Sequence, residues 1–394
     1  MRLAHLADPH LGFRKYARLT PRGHNQREVD VAEAFVRAID GVIAARPDAV
    51  LVAGDIFHQV RPTNSAILLA MRQFTRLVRE LPDAPVVVIA GNHDTPRSSD
   101  TVSIFGLLHE LGVHVASDAA RRFEFPALDL SVLAVPHQAL FASPRPALER
   151  AGEATHQVLM LHGETPGLFG PDRSTAEPGG ALLDDAELAH AAWSYVALGH
   201  YHVQHRVRDR IWYAGALDYV SPNPWGEVRE ERAARVAGKG WLLVDLDTGE
   251  VRPQPIAAPR RVLDLPVLDA SDLAAPELDR LLAEAVEAVP GGIDGAVVRQ
   301  VVREVPRAVA RELDHGAIRQ WKAAALDFLL DLRAPERRAR LVGVGAPGSS
   351  PATLPETLEG FLRARHLPAG MDRDLFVAEG MAALAAASTD GEGD

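Results

Sequence analysis

The stretch Val86-Val87-Val88-Ile89-Ala90-Gly91-Asn92-His93-Asp94 decides how this chain is read. Its β-branched apolar run predicts a buried strand. A glycine ends the run, and three polar side chains follow at once. Polar residues at a strand end either finish a turn or carry chemistry. The two can be told apart by asking whether other strands end the same way.

They do. Residues 2–7 read as a short strand that runs out at Asp8-Pro9-His10, and Val50-Leu51-Val52-Ala53 ends in Gly54-Asp55. Between them, Val31, Phe35, Ile39, Val42 and Ile43 stand at helical spacing and predict a helix over Glu28–Ala45; a second amphipathic helix is expected over Ser65–Leu81. This β-α-β-α-β alternation lays helices over the faces of a sheet. In such sheets the ligand crevice lies at the carboxyl ends of the strands. From Phe123 to about Val251 short strands predominate, at 130–135, 157–161, 195–198, 210–213 and 240–244. Histidines follow two of them, in Leu161-His162-Gly163 and Gly199-His200-Tyr201-His202. The expectation is a two-sheet sandwich with helices outside it.

At 394 residues and 47% hydrophobic, the chain exceeds one ordinary core, so two domains or one large domain with appendages is expected. No stretch approaches the ~20 apolar residues that span a bilayer. Asp8 comes too early for a signal peptide, and a cytoplasmic setting with no membrane partner is expected. The absence of cysteine excludes disulfides and thiolate metal sites. A net charge of −11 weighs against a nucleic-acid partner, unless bound divalent ions and a local basic patch offset it.

After Pro259 the composition shifts. A helix over 276–289, a strand over 297–305, a mostly helical stretch over 308–322 and a strand over 325–333 predict a small α+β unit. Residues 343–351 form a Gly/Pro/Ser linker. Two short amphipathic helices follow it. The first opens on Thr353-x-x-Glu356, a capping-box pattern, and carries Leu354, Leu358, Phe361 and Leu362 on one face. The second carries Phe376, Val377, Gly380, Met381 and Leu384. So small a pair either packs back on its own protein or docks a partner.

Five strand ends therefore carry metal-type ligands. Two divalent ions about 3.5–4 Å apart need one ligand that touches both, and the Asp55 carboxylate is the natural candidate. Imidazole, carboxylate and amide ligands without sulfur suit Mn²⁺, Fe²⁺ or Zn²⁺. Such a pair polarises a phosphoryl group and acidifies a water for in-line attack, and one imidazole remains to serve the leaving oxygen.

The order D-x-H, G-D, G-N-H-D, H-G, G-H-x-H resembles that of the calcineurin-like metallophosphoesterases. Gly54-Asp55-Ile56-Phe57-His58 has a histidine where phosphoprotein phosphatases carry an acid. With Asp8-Pro9-His10-Leu11-Gly12 and Gly199-His200-Tyr201-His202, it resembles the Mre11/SbcD family of DNA-repair nuclease subunits. The resemblance implies an α/β (α+β) fold, a four-layer sandwich of two mixed β-sheets flanked by helices. It also implies a nuclease domain over 1–260, a DNA-capping α+β domain over 261–340, a linker over 341–352 and a helical segment over 353–388. The segment would dock an SMC-like Rad50/SbcC ATPase through Leu358, Phe361, Leu362, Phe376, Met381 and Leu384. The two C-terminal parts match by arrangement only.

Carried over motif by motif, the resemblance implies two divalent ions, Mn²⁺ first among them. Asp8, His10 and His202 would hold one, Asn92, His162 and His200 the other, and Asp55 would bridge. His93 would be the catalytic imidazole beside the leaving group, with His58 orienting it or contacting phosphate. Asp94 reads as a turn residue. The basic loop 13–27, with Arg14, Lys15, Tyr16, Arg18 and Arg22, begins beside the first metal and suits sequence-independent contact with the DNA backbone; Arg61 is a second candidate. A homodimer would pair through Ser65–Val78 and Thr101–Leu111. The activity implied is 3′-to-5′ exonuclease on duplex DNA and endonuclease on single strands during break repair. A phosphodiesterase or phosphatase for small or protein substrates is the alternative on the same site.

Overall fold

The computed structural model describes residues 1–95, 103–169, 175, 179–184, 187–188, 192–335, 353–365, 367 and 372–389. In chain order the first elements are β1 (Arg2–Leu6), α1 (Gln26–Ala45), β2 (Ala49–Ala53), α2 (Asn64–Glu80), β3 (Val86–Ile89), α3 (Gly106–His109) and β4 (His114–Ala116). They are followed by β5 (Arg121–Phe125), β6 (Leu130–Val135), β7 (His156–His162), β8 (Tyr195–Gly199), β9 (His205–Arg208), β10 (Ile211–Tyr213), α4 (Pro224–Ala234), β11 (Gly240–Asp245) and β12 (Val251–Pro255).

These strands form two six-stranded mixed sheets. The first has the order β12-β11-β1-β2-β3-β4, with β1 to β4 parallel and β11 and β12 antiparallel. The second has the order β5-β6-β7-β8-β10-β9, with antiparallel strands at its two edges. Central strands covered on both faces read as continuous apolar runs, which is why the period-2 alternation is missing from them. One face of the first sheet (Ala4, Leu6, Val50, Val52, Val88) packs on Phe35, Ile39 and Val42 of α1 and on Phe74 and Leu77 of α2. Its other face (Leu3, Leu51, Val87, Ile89) meets Val132, Val158, Met160 and Tyr195 of the second sheet. The far face of the second sheet is closed by Leu140, Leu148, Leu183, Leu188 and Trp193. Four layers result, as the motifs implied.

Polar caps set the helix starts. The Asn25 side chain accepts from the N–H groups of Arg27 and Glu28, so α1 opens two residues before the expected Glu28. Thr63 caps α2 through the Ala66 N–H. On α2, Phe74 is fully buried and faces the sheet, whereas Leu68 is 55% exposed. The helix expected over 101–111 begins outside the described residues, and within them α3 is a single turn. Among the described residues no helix is long and apolar enough to cross a membrane.

A third, all-parallel sheet follows: β13 (Val262–Asp264) and β14 (Leu268–Asp269) lie along one side of β15 (Val297–Arg303), and β16 (Asp327–Leu332) along the other. Helix α5 (Ala275–Glu287) precedes β15. The single helix expected over 308–322 is two, α6 (Arg307–Glu312) and α7 (His315–Ala324). Asp314 explains the break, because its carboxylate accepts from Gly316 and Ala317 and starts a new helix there.

Residues 1–335 make one compact unit, so the boundary expected at 260 falls within it. Three ties hold the joint. Arg260 pairs with both oxygens of Asp30, at 2.6 and 2.9 Å. Arg18 donates to the carbonyls of Ala323 and Ala325, at 2.6 and 2.8 Å. Tyr16 packs against the cluster of Trp225, Val297 and Leu326.

The second unit, 336–394, contains α8 (Leu354–Ala364) and α9 (Arg373–Thr389). The reciprocal Thr353–Glu356 capping box is present. Leu362 and Val377 are buried, and a Cβ on Gly380 would overlap Leu362, so this glycine admits the leucine to the helix pair. Leu362 is thus used within the pair, while Phe361 is 59% exposed. Leu358, Phe376, Met381 and Leu384 are half-buried. The expected linker 341–352 lies outside the described residues.

Arg27 of α1 is 2% exposed and sits 3.0 Å from Asp30 and 3.1 Å from Asp218. Removing one partner of a buried ion pair leaves an uncompensated charge. Arg27→Met is therefore expected to lower unfolding stability by about 3–5 kcal/mol, read as a drop in the urea midpoint.

Candidate metal centre

Strands β1, β2, β3, β7 and β8 all end at one edge of the sandwich, and a polar residue follows or closes each. The loops after β1 and β2 are zipped together by main-chain bonds: Asp8 N–H to Gly54 O at 3.1 Å, His10 N–H to Asp55 O at 2.9 Å, and Leu11 N–H to Ile56 O at 2.8 Å. This zipper needs unusual backbone. Asp8, His10, Asp55 and His200 have φ of 51°, 47°, 50° and 103°, in the region that L-residues avoid. Left-handed conformations at non-glycine residues store of order 1–3 kcal/mol each and concentrate at functional sites.

The side chains converge on the Asp55 carboxylate, which is completely buried. Its Oδ1 accepts from the His93 N–H at 2.8 Å. Its Oδ2 accepts no hydrogen bond, although His162 Nε2 lies 3.3 Å away and His10 Nε2 3.7 Å away. On one side, Asp8, His10 and His202 bring one donor atom each within 4.8 Å of one another, and the two Nε2 atoms of His10 and His202 are 3.1 Å apart. On the other, Asn92 Oδ1 stands 2.9 Å from His162 Nε2 and 3.0 Å from His200 Nδ1. The His200 N–H in turn binds both oxygens of Asp8 at 3.1 Å.

The donor set fits a cation. His162 Nδ1 lies 2.8 Å from the Ala53 carbonyl and must carry a proton to donate to it. Nε2 then presents a lone pair to an amide oxygen and a carboxylate oxygen. Three acceptors facing one another repel unless a proton or a cation lies between them. Burial works against charge on His162, but Asp55, Asp8 and the Ala53 carbonyl raise its pKa to about 9. Burial likewise opposes the Asp55 charge, yet His162, His10 and His93 hold its carboxyl well below the usual range. Burial keeps His10 and His202 well below the ordinary imidazole value, so both rings are neutral at pH 7. Two triads sharing one carboxylate can hold divalent metal ions.

Glycines make room for this. A Cβ on Gly91 would overlap Asp55 Oδ1, and one on Gly54, at φ 94°, would overlap the His162 ring. The glycine of each motif is therefore required by the ligand of another.

Beside the triads, the rings of His58 and His93 stack with centroids 5.0 Å apart and planes 23° apart. His93 Nδ1 donates to the His58 carbonyl at 3.0 Å, which fixes the tautomer with the proton on Nδ1. Phe13 meets the His58 ring edge-on at 4.9 Å. Burial and then His93 lower the His58 pKa to about 4. Asp94 accepts from the N–H groups of Gly91 (2.7 Å) and Phe57 (3.3 Å), which shapes the turn between two loops.

The basic loop is arranged differently from the sequence expectation. Arg14 pairs with Glu28 at 2.7 Å, and Lys15 donates to the carbonyls of Pro222 and Ser221 at 2.8 and 3.3 Å. Tyr16 and Arg18 are the ties to residues 261–335 described above. Arg22 and Arg61 are exposed. Two residues that the motifs did not name lie near the ligands. His137 is 8% exposed, with its ring 6.2 Å from that of His162. Lys239 is buried, with its ammonium on the His202 carbonyl. Their only sequence signal is a polar residue beside an apolar strand, and many surface residues share it.

Residues 1–219 match the family model described as calcineurin-like phosphoesterase. The chain is 29% identical over 265 residues to the DNA double-strand break repair protein Mre11 of Methanopyrus kandleri, covering 63% of this chain and 55% of that protein. It is 29% identical to the Mre11 of Thermoplasma acidophilum, with 64% of each covered, and 38% identical over 111 residues to that of Methanococcus maripaludis, with 28% of each covered. The matched stretch thus spans between about half and two-thirds of the first two relatives. With its family model covering more than half of its length, the chain belongs to the calcineurin-like phosphoesterases.

Proposed function

We propose that this chain is a di-metal phosphodiester hydrolase of the Mre11 type, acting on DNA ends as a 3′-to-5′ exonuclease and on single strands as an endonuclease. The observation that carries it is the buried Asp55 Oδ2, set between two ligand triads with no hydrogen bond of its own. Asp8, His10 and His202 would hold one ion and Asn92, His162 and His200 the other, with Asp55 able to serve both. Mn²⁺ suits a set of four imidazoles, two carboxylates and one amide. When bound, such ions polarise the phosphoryl oxygens and acidify the attacking water.

The protein's own groups do the rest. The buried carboxylates and the neutral His10 and His202 rings present fixed lone pairs, while His162 gives up its proton when a cation binds. The His58 carbonyl holds the Nδ1 proton of His93, which leaves Nε2 as the ring atom that takes up a proton and, from the imidazolium, would give it to the leaving oxygen. The stacked His58 ring, braced by Phe13, keeps that imidazole aimed. Exposed Arg22 and Arg61 supply phosphate contacts. The helical pair over 353–388 docks an SMC-like ATPase through Phe361 and the half-buried Leu358, Phe376, Met381 and Leu384. A second copy pairs through the α2 face that exposes Leu68. One observation favours the alternative, a phosphoesterase for small or protein substrates: Arg14, Lys15 and Arg18 all have partners within the chain, although Arg14 and Arg18 remain exposed.

Two measurements test this. With 5′-labelled linear duplex and Mn²⁺, shortening from the 3′ end that EDTA abolishes is expected. His93→Ala is expected to slow it about 10²–10⁴-fold while calorimetry still counts two Mn²⁺. Hydrolysis of bis-(p-nitrophenyl) phosphate with duplex and single-stranded DNA left intact would favour the alternative instead.

Metal affinity also carries a pH signature. Below the His162 pKa of about 9, a cation must displace its proton. Binding at that position is expected to weaken roughly tenfold per unit as pH falls below that value. Mn²⁺ isotherms in buffers of different ionisation enthalpy would report the released proton.

A further inference from the structure

We propose that Lys239 is a positioning residue for the metal centre, holding the His200-Tyr201-His202 loop by donating from its ammonium to the main-chain carbonyl of His202. The proposal rests on reading His202 as a metal ligand.

Lys239 Nζ lies 2.7 Å from the His202 carbonyl and 3.1 Å from Glu231, and it contacts Glu227 directly. The residue is only 3% exposed. An ammonium withdrawn from water is tolerated when acceptors and opposite charge surround it; here it donates to the His202 carbonyl and to Glu227 and pairs in charge with Glu231. Both carboxylates are themselves anchored. Glu227 accepts from the Ser221 N–H at 3.1 Å, and Glu231 from the Tyr219 hydroxyl at 2.7 Å. The Tyr219 ring lies under the ammonium at 4.6 Å, and its carbonyl accepts from Arg27 at 2.9 Å. Burial opposes the charge, yet the two carboxylates hold the lysine pKa above its ordinary value.

Pairing two acids does not require a third bond to a loop carbonyl. That bond goes to a loop with a particular need. His200 sits at φ 103°, a conformation that persists only when its surroundings impose it. Ala216 N–H also donates to the same carbonyl, at 3.1 Å. Lys239 stands just before β11 of the first sheet, whereas His202 follows β8 of the second. The ammonium therefore fixes the ligand loop of one sheet against the other, which sets where the His202 ring can point. Outer contacts of this kind tune metal affinity about 10–100-fold.

The test compares EDTA-stripped, dialysed full-length proteins by Mn²⁺ calorimetry and thermal melting: wild type, Lys239→Met, His202→Ala, and the triple variant Lys239→Met/Glu227→Gln/Glu231→Gln. The triple variant removes the donor without leaving buried carboxylates unpaired, so it folds where the single variant fails. The expected result is a triple variant that melts near wild type, binds one Mn²⁺ normally and the other at least tenfold more weakly. Its bis-(p-nitrophenyl) phosphate hydrolysis should be rescued by excess Mn²⁺. His202→Ala should weaken the same site. Normal affinity at both sites in a folded triple variant, with His202→Ala impaired, would overturn the positioning role alone. Two undisturbed sites in His202→Ala would overturn the ligand reading, and the proposal with it.

Discussion

A fully buried aspartate organises this molecule. An ionised carboxylate without water is tolerable only where opposite charge and hydrogen-bond donors surround it. Asp55 obtains them from loops that are far apart in sequence: the His93 N–H, the His162 ring, which is cationic at pH 7 until a metal ion displaces its proton, and the zipper that binds its own loop to the one after β1. The glycine at position 91 and the left-handed backbone at Asp8, His10 and Asp55 follow from packing those loops around a single carboxylate. The strain is distributed over several residues, and the two sheets behind them are rigid enough to bear it.

The loop after the first motif shows how one segment can serve two purposes. It leaves the metal centre at Phe13, under His58, and reaches residues 261–335 through Tyr16 and Arg18 before returning to cap α1 at Asn25. Its cations read as a phosphate-binding strip, but most of them donate to carbonyls or to Glu28. A guanidinium satisfies a peptide oxygen as readily as a phosphate oxygen, so residue type alone does not reveal which it faces.

That difference explains which parts were legible in the sequence. The candidate ligands stand out because they follow apolar runs, so a local pattern locates them at strand ends, and those strand ends share one edge. The layers could be read because buried strands appear as short continuous apolar runs while amphipathic helices space their apolar residues by three and four. The break between α6 and α7 was obscured because apolar spacing runs through Asp314, while the carboxylate cap acts on the next two residues. Lys239 and His137 could not be read at all. The importance of Lys239 depends on a carbonyl 37 residues away and on acids from another helix. No window of sequence contains those partners together.

The ligand atoms are drawn from Asp8 through His202 and from both sheets. Contacts of such long sequence separation form late, since chain closure must precede them. No partly folded chain assembles both triads, so a cation finds its full set of donors only after the sandwich has closed. Ions that bind the native state alone draw the folding equilibrium toward it by mass action. The metals that equip the site for hydrolysis would thus also act as a checkpoint on its maturation, engaging only those molecules whose two sheets have docked.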